Sequence, residues 1–264
     1  MTLLKLCKTS VSKALQYIKE HEFQPTAIYY KQNDNLVSDC DIKLQNLILE
    51  TLLQESPEEF MLYSEELEKP KIFPNPKYKV ILDPLDQTSS FIYGNLEFTS
   101  TSILILDMEN NPIGAVVGDI NDQKIYYANK NGAWYNRKKI RPSEKTDLLE
   151  AKIAVYAEKY SRKYLYNKII FPLMERGARV VNNGGSLFAC RVADGRFHAA
   201  LEPKPVGLYE FAGAYIAEMA GCIVTDIEGN KIDYNPEQKS TYIVASNLDV
   251  HKQVLGIFEK QRYY

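Results

Sequence analysis

The stretch YKVILDPLDQTSSF, residues 78–91, constrains the fold more than any other part of the chain. Its first residues are mostly apolar, which predicts a buried strand over residues 78–83. The strand ends in two carboxylates, Asp83 and Asp86, with Pro84 and Leu85 between them. Because burying an uncompensated charge is costly, we expect something cationic at this end of the strand.

Oxygen ligands dominate the residues that follow this strand. Asp83, Asp86 and the carbonyl of Leu85 could turn toward one point, and hard oxygen ligands suit Mg²⁺ rather than zinc. Thr88 and Ser89 then offer hydroxyls and backbone N–H groups, which could open a helical turn that holds a phosphate. Asp-Pro-x-Asp is also an ordinary turn with an Asx cap, and this alternative stays open.

A second pair of acids, Glu65 and Glu66, follows the short apolar strand FMLYS, residues 60–64. Alone, such a pair would be interpreted as the acidic start of a helix or as a solvated turn. Two strands that both end in acids, one loop apart, favour a shared cation.

Hydrophobic periodicity predicts helices over residues 3–21 and from Ser38 or Asp39 onward, and it predicts four strands of an antiparallel meander between about residues 99 and 136. After about residue 145, strands alternate with helical stretches near residues 160–176, 185–194, 208–220 and 248–260, which is typical of a layered α/β unit. The predicted fold class is therefore α+β / α/β, with a boundary that separates residues 1–145 from residues 146–264.

Composition excludes several classes of protein. The formal net charge is −2, which argues against a nucleic-acid surface. No apolar run reaches the roughly 18 residues of a membrane span, and lysines interrupt the N-terminal apolar stretch, so neither a membrane anchor nor a signal peptide is expected. The four cysteines lack zinc-ligand spacing and are expected to be reduced, which predicts a cytoplasmic location.

These motifs resemble the inositol monophosphatase family of Mg²⁺-dependent, lithium-inhibited phosphatases. Its signature, approximately D-P-[IL]-D-G-[ST]-x-N-F after an E-E pair, is similar to DPLDQTSSF at residues 83–91 after Glu65-Glu66. Residues 114–140 resemble the family's G-x-V-x-x-P hairpin region, and NNGGSLFACRVADGRFHAAL, residues 182–201, resembles its G-S segment. Residues 208–229, which begin LYEFAG, resemble its W-D-x-A-A-G motif.

The resemblance implies an α/β/α/β/α sandwich with the metal site in the N-terminal half and with Glu210 and a substrate pocket contributed by the C-terminal half. It also implies a homodimer that hydrolyses a small phosphate ester with two or three Mg²⁺ ions, for which Mn²⁺ could substitute. No nucleic-acid or membrane partner is implied.

Roles for single residues also follow from the resemblance. Glu65, Asp83 and the Leu85 carbonyl would bind one ion, and Asp83, Asp86 and Glu210 the other. Glu65, Thr88 and Asp83 would be catalytic, with Glu65 and Thr88 orienting the attacking water. The expected substrate-binding residues are Asp86, Gln87, Thr88, Ser89, Gly185 and Ser186.

The chain departs from the family pattern at several positions. Gln87 replaces a glycine, which implies strain if the position needs a positive φ, and Ser90 replaces an asparagine. Glu210 replaces the metal-binding aspartate, so the second ion could be weaker or displaced. The family's inositol-binding acid lies seven residues before that aspartate, where this chain has Pro203, with Glu202 adjacent.

Two functions therefore remain after the sequence alone. The first is a phosphomonoesterase acting on inositol monophosphate or, next in order, on fructose 1,6-bisphosphate or adenosine 3′,5′-bisphosphate. The second is a family member that has lost turnover and acts as a binding or regulatory protein.

Overall fold

The computed structural model of the chain describes residues 2–21, 27–30, 36–55, 60–157 and 162–259. Its helices are α1 (Leu3–Glu20), α2 (Asp39–Glu55), α3 (Thr88–Ile92), α4 (Arg162–Leu165), α5 (Phe171–Glu175), α6 (Ser186–Ala193), α7 (Ala212–Ala220) and α8 (Leu248–Glu259). A π-helical turn, Tyr166–Ile170, joins α4 to α5, and 3₁₀ turns cover Leu96–Phe98 and Leu208–Phe211. Within the predicted helical stretches 160–176 and 248–260, residues 160, 161 and 260 lie outside the described residues.

The strands are β1 (Ile28–Tyr30), β2 (Leu36–Ser38), β3 (Phe60–Ser64), β4 (Lys71–Ile72), β5 (Tyr78–Asp86), β6 (Ser100–Asp107), β7 (Pro112–Asp119), β8 (Lys124–Asn129), β9 (Gly132–Tyr135), β10 (Lys138–Lys139), β11 (Lys152–Val155), β12 (Arg179–Val181), β13 (Ala199–Val206), β14 (Ile223–Thr225) and β15 (Ser240–Ala245).

The larger sheet has eight strands in the order β10-β9-β8-β7-β6-β5-β3-β4. Strands β5 to β9 pair antiparallel with their neighbours in sequence, which confirms the predicted meander. Only β3 and β5 pair in parallel among the described strands of this sheet. The carboxyl ends of β3 and β5 therefore lie side by side at the same end of the strands, and the acids that follow each strand are brought together there.

The smaller sheet has five strands in the order β12-β11-β13-β15-β14. Strand β11 pairs in parallel with β12 and β13, whereas β15 pairs antiparallel with β13 and β14. This mixed sheet is formed entirely by residues after 145, whereas the described strands of the eight-stranded sheet all precede 145. The boundary near residue 145 agrees with this division but stays a prediction.

Five layers stack in this fold. Helices α1 and α2 cover one face of the eight-stranded sheet, and α6 and α7 fill the space between the two sheets. Helices α5 and α8 cover the outer face of the five-stranded sheet. The predicted α/β/α/β/α sandwich is therefore confirmed.

A glycine allows the two central helices to approach each other. A Cβ atom at Gly213 on α7 would overlap the carbonyl of Ser186 at the start of α6. Because glycine lacks this atom, the backbones of α6 and α7 can touch, and the residues that precede each helix face the same point.

All four cysteines are buried and unpaired, as predicted for reduced thiols. In the part of the chain that the structure describes, no helix is both long enough and apolar enough to cross a membrane.

Candidate metal and phosphate site

A bulge at the end of β5 turns Asp83 and Asp86 to the same side of the sheet. Residues three apart on a regular strand point to opposite faces. Here Asp83 lies opposite Ser102 and Asp86 lies opposite Ser100, so three steps along β5 match only two along β6. This register shift reverses the alternation and lets both carboxylates face one point.

Glu210 meets these two aspartates from the other sheet's side of the site. Carboxylate oxygens of Asp83, Asp86 and Glu210 all lie within 4.8 Å of one another. Glu210 belongs to the 3₁₀ turn that follows β13, and the hydroxyl of Ser102 donates to the carbonyl of Tyr209 at 3.2 Å, which ties this turn to β6. The longer glutamate side chain therefore still reaches the position where the sequence predicts a metal ligand.

Glu65 joins the cluster through the parallel pairing of β3 and β5. Its backbone N–H donates to the carbonyl of Leu82 at 3.1 Å, which extends the pairing one residue beyond β3. The charge of Glu65 raises the pKa values of both Asp83 and Asp86, although burial has a larger effect on each.

The electrostatics of the cluster favour a bound cation. Burial raises the pKa of Asp83 well above its ordinary value, and the strongest charges acting on it are Glu65, Asp86 and Glu210, which are all acids. Burial likewise raises the pKa of Asp86 to about 7, although hydrogen bonds from Ser100 and the backbone oppose this. A divalent ion would relieve both the desolvation and the mutual repulsion.

The donor atoms fit a hard divalent ion. Oδ1 of Asp86 is buried and has no hydrogen-bond partner among the described residues, so its lone pairs are available to an ion. The carboxylates and the carbonyl of Leu85 supply only oxygen, the ligand type that Mg²⁺ and Mn²⁺ prefer. The residues present therefore fit the predicted magnesium site.

Thr88 connects this cluster to α2. Its hydroxyl lies 2.9 Å from both the carbonyl of Leu85 and Oδ1 of Asp41. The other oxygen of Asp41 accepts from the backbone N–H and the hydroxyl of Ser38 at 2.8 and 2.6 Å, which caps the start of α2. Asp41 thus caps the start of α2, and it also orients the Thr88 hydroxyl.

Gln87 adopts the left-handed conformation, with φ 62° and ψ 49°. The condition for strain is therefore met, because a glutamine at a positive φ is less favourable than a glycine. Its backbone N–H lies close enough to Asp86 to stabilise the charged carboxylate, with Thr88 next to it at the start of α3. Ser89 is exposed on α3.

Gly185 and Ser186 hold Asp86 from a distance of about 100 residues in sequence. The backbone N–H of Ser186 donates to Oδ2 of Asp86 at 2.9 Å. Gly185 has φ 87°, and a Cβ atom there would collide with the Asp86 carboxylate. The hydroxyl of Ser186 donates to the carbonyl of Glu210 at 3.2 Å, so Ser186 joins two predicted ligands. That either residue also lines a substrate pocket stays a prediction.

Sequence reasoning missed the hydroxyl run Thr99–Ser102, which is fully buried beside the end of β5. Ser100 donates to Oδ2 of Asp86 at 3.0 Å, and Thr101 donates to the carbonyl of Pro84 at 2.9 Å. Four consecutive hydroxyl residues at the start of a strand are unusual in a core. This run was the available signal that buried acids required donors.

Sequence reasoning also left Glu202 without a role, because Pro203 occupies the spacing expected for an acid. The pairing of β13 with β15 is irregular between Glu202 and Val206. Glu202 is buried, and its carboxylate accepts from the backbone N–H of Gly185 at 3.1 Å. Since Gly185 packs on Asp86, Glu202 lies beside the acidic cluster. Pro203 and Pro205 in the sequence could have indicated that this strand is irregular.

Comparison with known proteins agrees with this geometry. The model of the inositol monophosphatase family matches residues 2–263. The chain is 28% identical to the 3′(2′),5′-bisphosphate nucleotidase CysQ of Salmonella typhimurium, over 81% of this chain and 86% of that protein. It is 24% identical to the inositol-1-monophosphatase of Bacillus subtilis, over 95% of this chain and 94% of that protein.

A solved structure shares the fold. The extragenic suppressor protein suhB from Bartonella henselae superimposes with a TM-score of 0.87 and covers 97% of this chain and 98% of its own. At 22% sequence identity, this likeness shows the layered sandwich alone.

Proposed function

Because the chain belongs to the inositol monophosphatase family, we propose that it is a Mg²⁺-dependent phosphomonoesterase that acts on a small phosphorylated polyol, sugar or nucleotide. The observation that carries this proposal is the meeting of Asp83, Asp86 and Glu210 within 4.8 Å in a buried site. Acids this close and this poorly solvated are unfavourable without cations, and a phosphatase of this family uses such cations for its chemistry.

The ligands divide into two sets that share Asp83. Glu65, Asp83 and the Leu85 carbonyl would hold one ion, and Asp83, Asp86 and Glu210 the other. When bound, Mg²⁺ makes water more acidic, neutralises phosphate charge and stabilises the departing alkoxide oxygen. The bulge at the end of β5 and the donors from Ser100 and Ser186 hold the ligands in place beforehand.

Thr88 is the residue that orients the attacking water, together with Glu65. Its hydroxyl lies 2.9 Å from Oδ1 of Asp41, so it can donate its own proton to that carboxylate while it accepts a hydrogen bond from the water. Burial raises the pKa of Asp41, which makes this carboxylate a better proton acceptor than an exposed aspartate.

The phosphate would lie at the start of α3, where Gln87, Thr88 and Ser89 present backbone N–H groups. The left-handed Gln87 lets the chain turn sharply from the ligand strand into α3. The short turn and the ions together would hold the phosphate oxygens opposite the attacking water.

The position of Glu202 favours a substrate whose leaving alcohol carries several hydroxyls. Its carboxylate lies next to Gly185, which touches Asp86, so the alcohol side of the ester would be near it. A carboxylate recognises a substrate hydroxyl by accepting its hydrogen bond. Inositol monophosphate carries the most free hydroxyls of the three candidate esters and is our first choice, ahead of fructose 1,6-bisphosphate and adenosine 3′,5′-bisphosphate.

The competing hypothesis is a family member without turnover, based on Gln87, Ser90 and Glu210. Two of these departures are accommodated, since Gln87 adopts the positive φ of a glycine and Glu210 reaches the two aspartates. These observations favour the enzyme. We also propose the homodimer that is usual in relatives, which light scattering during gel filtration would test.

Phosphate release from the three candidate esters, with Mg²⁺, with Mn²⁺ and with EDTA, tests the proposed function. We expect metal-dependent release from at least one ester, and a loss of at least 100-fold in Asp83→Asn, because the shared ligand is removed. Asp233→Asn is a matched control, since Asp233 is exposed and its turn hydrogen bond can also be made by asparagine. Absence of release from every ester with either metal would support the binding protein instead.

A further inference from the structure

One edge of the eight-stranded sheet carries cations that have no acidic partner among the described residues. Lys8 on α1 lies over Tyr127 of β8, and the adjoining β9–β10 hairpin contains Arg137, Lys138 and Lys139 at its tip and in its last strand. None of these four residues forms an ion pair with another described residue. Burial lowers the pKa of Lys8, and the charge of Arg137 lowers it further, so positive charges are crowded here.

Two aromatic rings lie between two of these cations. The Nζ atom of Lys8 lies 3.4 Å from the centroid of the Tyr127 ring. Tyr127 pairs across β8 and β9 with Trp134, and their rings stack at 5.3 Å with an angle of 14°. Lys139 is the neighbour of Trp134 on β10. Lys8, Tyr127, Trp134 and Lys139 therefore form a row, which we call the basic–aromatic row.

The tip of the hairpin places a cation where the backbone favours glycine. Asn136 and Arg137 form a two-residue loop, with φ 46° and 75°. Loops of this type usually have glycine at the second position, because a side chain there is strained. Arg137 is exposed, so packing does not explain why an arginine occupies this position. A binding role for its charge would explain it.

We propose that the basic–aromatic row, with Arg137, binds single-stranded nucleic acid. Cations spaced along the row suit successive phosphates, and the partly exposed Trp134 offers a ring on which a base can stack. An acidic protein surface would be served by the charges alone and would not use the aromatic rings. The net charge of −2 argues against such binding for the chain as a whole, but it does not describe this edge.

This surface is separate from the phosphatase site. Strand β10 lies at one edge of the sheet, and β9, β8, β7 and β6 separate it from β5. Substitutions at the hairpin should therefore leave phosphate release unchanged. Phosphate release tests the proposed function and nucleic-acid binding tests this proposal, so either can fail while the other holds.

Fluorescence anisotropy of the full chain with labelled 12-mers of oligouridylate and oligothymidylate tests the proposal. We expect binding that weakens with salt, and the tighter of the two strands identifies RNA or DNA. Arg137→Gly should weaken binding several-fold and reduce the salt slope by about 0.7, the value for one phosphate contact with a single strand. The same variant should melt at a higher temperature, since the strain at the tip is relieved, so weaker binding could not be attributed to unfolding.

The controls distinguish the effects on binding of the Arg137 charge, of the loop backbone and of base stacking on Trp134. Asn136→Gly changes the same loop without loss of charge, and Lys252→Gln removes an exposed cation on α8, so both should bind like the unaltered chain. The unaltered chain should prefer the 12-mer to an abasic strand of equal length, and Trp134→Leu should lose that preference. Undiminished binding by Arg137→Gly, no binding by the unaltered chain at low salt, or equal binding of the abasic strand would overturn the proposal.

Discussion

Replacing Asp86 by asparagine should stabilise the metal-free protein. Oδ2 of Asp86 accepts hydrogen bonds from Ser100 and Ser186 at 3.0 and 2.9 Å, and the oxygen of an asparagine can accept both. The substitution removes the charge, and the new amide would face the carboxylates of Asp83 and Glu210. Asp86→Asn therefore relieves repulsion without breaking the bonds that hold the strand end.

The magnitude follows from the pKa of Asp86, which is about 7 in the folded chain against an ordinary 3.8. At about 1.4 kcal/mol for each pKa unit, ionising Asp86 costs the folded state up to about 4 kcal/mol relative to the unfolded state. Because the folded pKa is the higher one, the folded chain has its full stability below pH 3.8, where Asp86 is protonated in both states. This stability is lost as the pH rises through 7 and Asp86 ionises in the folded chain. The advantage of Asp86→Asn should therefore grow by roughly 2 to 3 kcal/mol between pH 5 and pH 8.

Urea unfolding in EDTA at the two pH values measures this difference, with Asp233→Asn as the control for loss of an exposed acid. With Mg²⁺ added, the unaltered chain should become more stable than Asp86→Asn, because the ion binds and stabilises the unaltered chain but lacks one of its ligands in the variant. An advantage of Asp86→Asn that is absent at pH 8, or that is equal at pH 5 and pH 8, would show that the charge of Asp86 does not destabilise the metal-free fold.

Three further predictions concern the metal, the backbone and acid stability. Glu210→Asp shortens a predicted ligand and should shift the Mg²⁺ concentration needed for half-maximal phosphate release; an unchanged titration would argue that Glu210 is not a ligand. Gln87→Gly removes a strained positive φ and should raise the free energy of unfolding by up to about 1 kcal/mol, measured in urea, whereas a loss of stability would contradict the strain. His198 accepts a hydrogen bond from the backbone N–H of Lys152 at 3.0 Å, and burial and the charge of Lys145 lower the pKa of His198. The contribution of neutral His198 to the free energy of unfolding is therefore complete above pH 6.5 and falls as the pH drops. His198→Gln should therefore lose less stability than the unaltered chain between pH 7 and pH 5, and an equal loss would count against this role.

The α/β alternation and the acidic strand ends could be predicted because they depend on local patterns, whereas the five-layer sandwich came from the resemblance to the family. Periodicity marked the helices and the meander, and the acids after β3 and β5 meet because those two strands pair in parallel. The left-handed backbone of Gln87 was also foreseeable, since the family has glycine at that position.

Contacts between distant residues could not be predicted in the same way. The bond from Ser186 to Asp86 depends on how α6 and α7 approach, and the place of Glu202 depends on an irregular strand register. Single-residue shifts of register move a side chain to the other face, and spacing along the chain does not reveal them. The link between Thr88 and Asp41 likewise needs the packing of α2 to be known.

The most direct test of the metal site is a crystal soaked in Mn²⁺, with anomalous data measured at the manganese edge. Our account predicts anomalous peaks bounded by oxygen atoms of Asp83, Asp86 and Glu210, with a second peak beside Glu65 and the Leu85 carbonyl. Carboxylates that point apart, with no anomalous peak between them at saturating Mn²⁺, would contradict it.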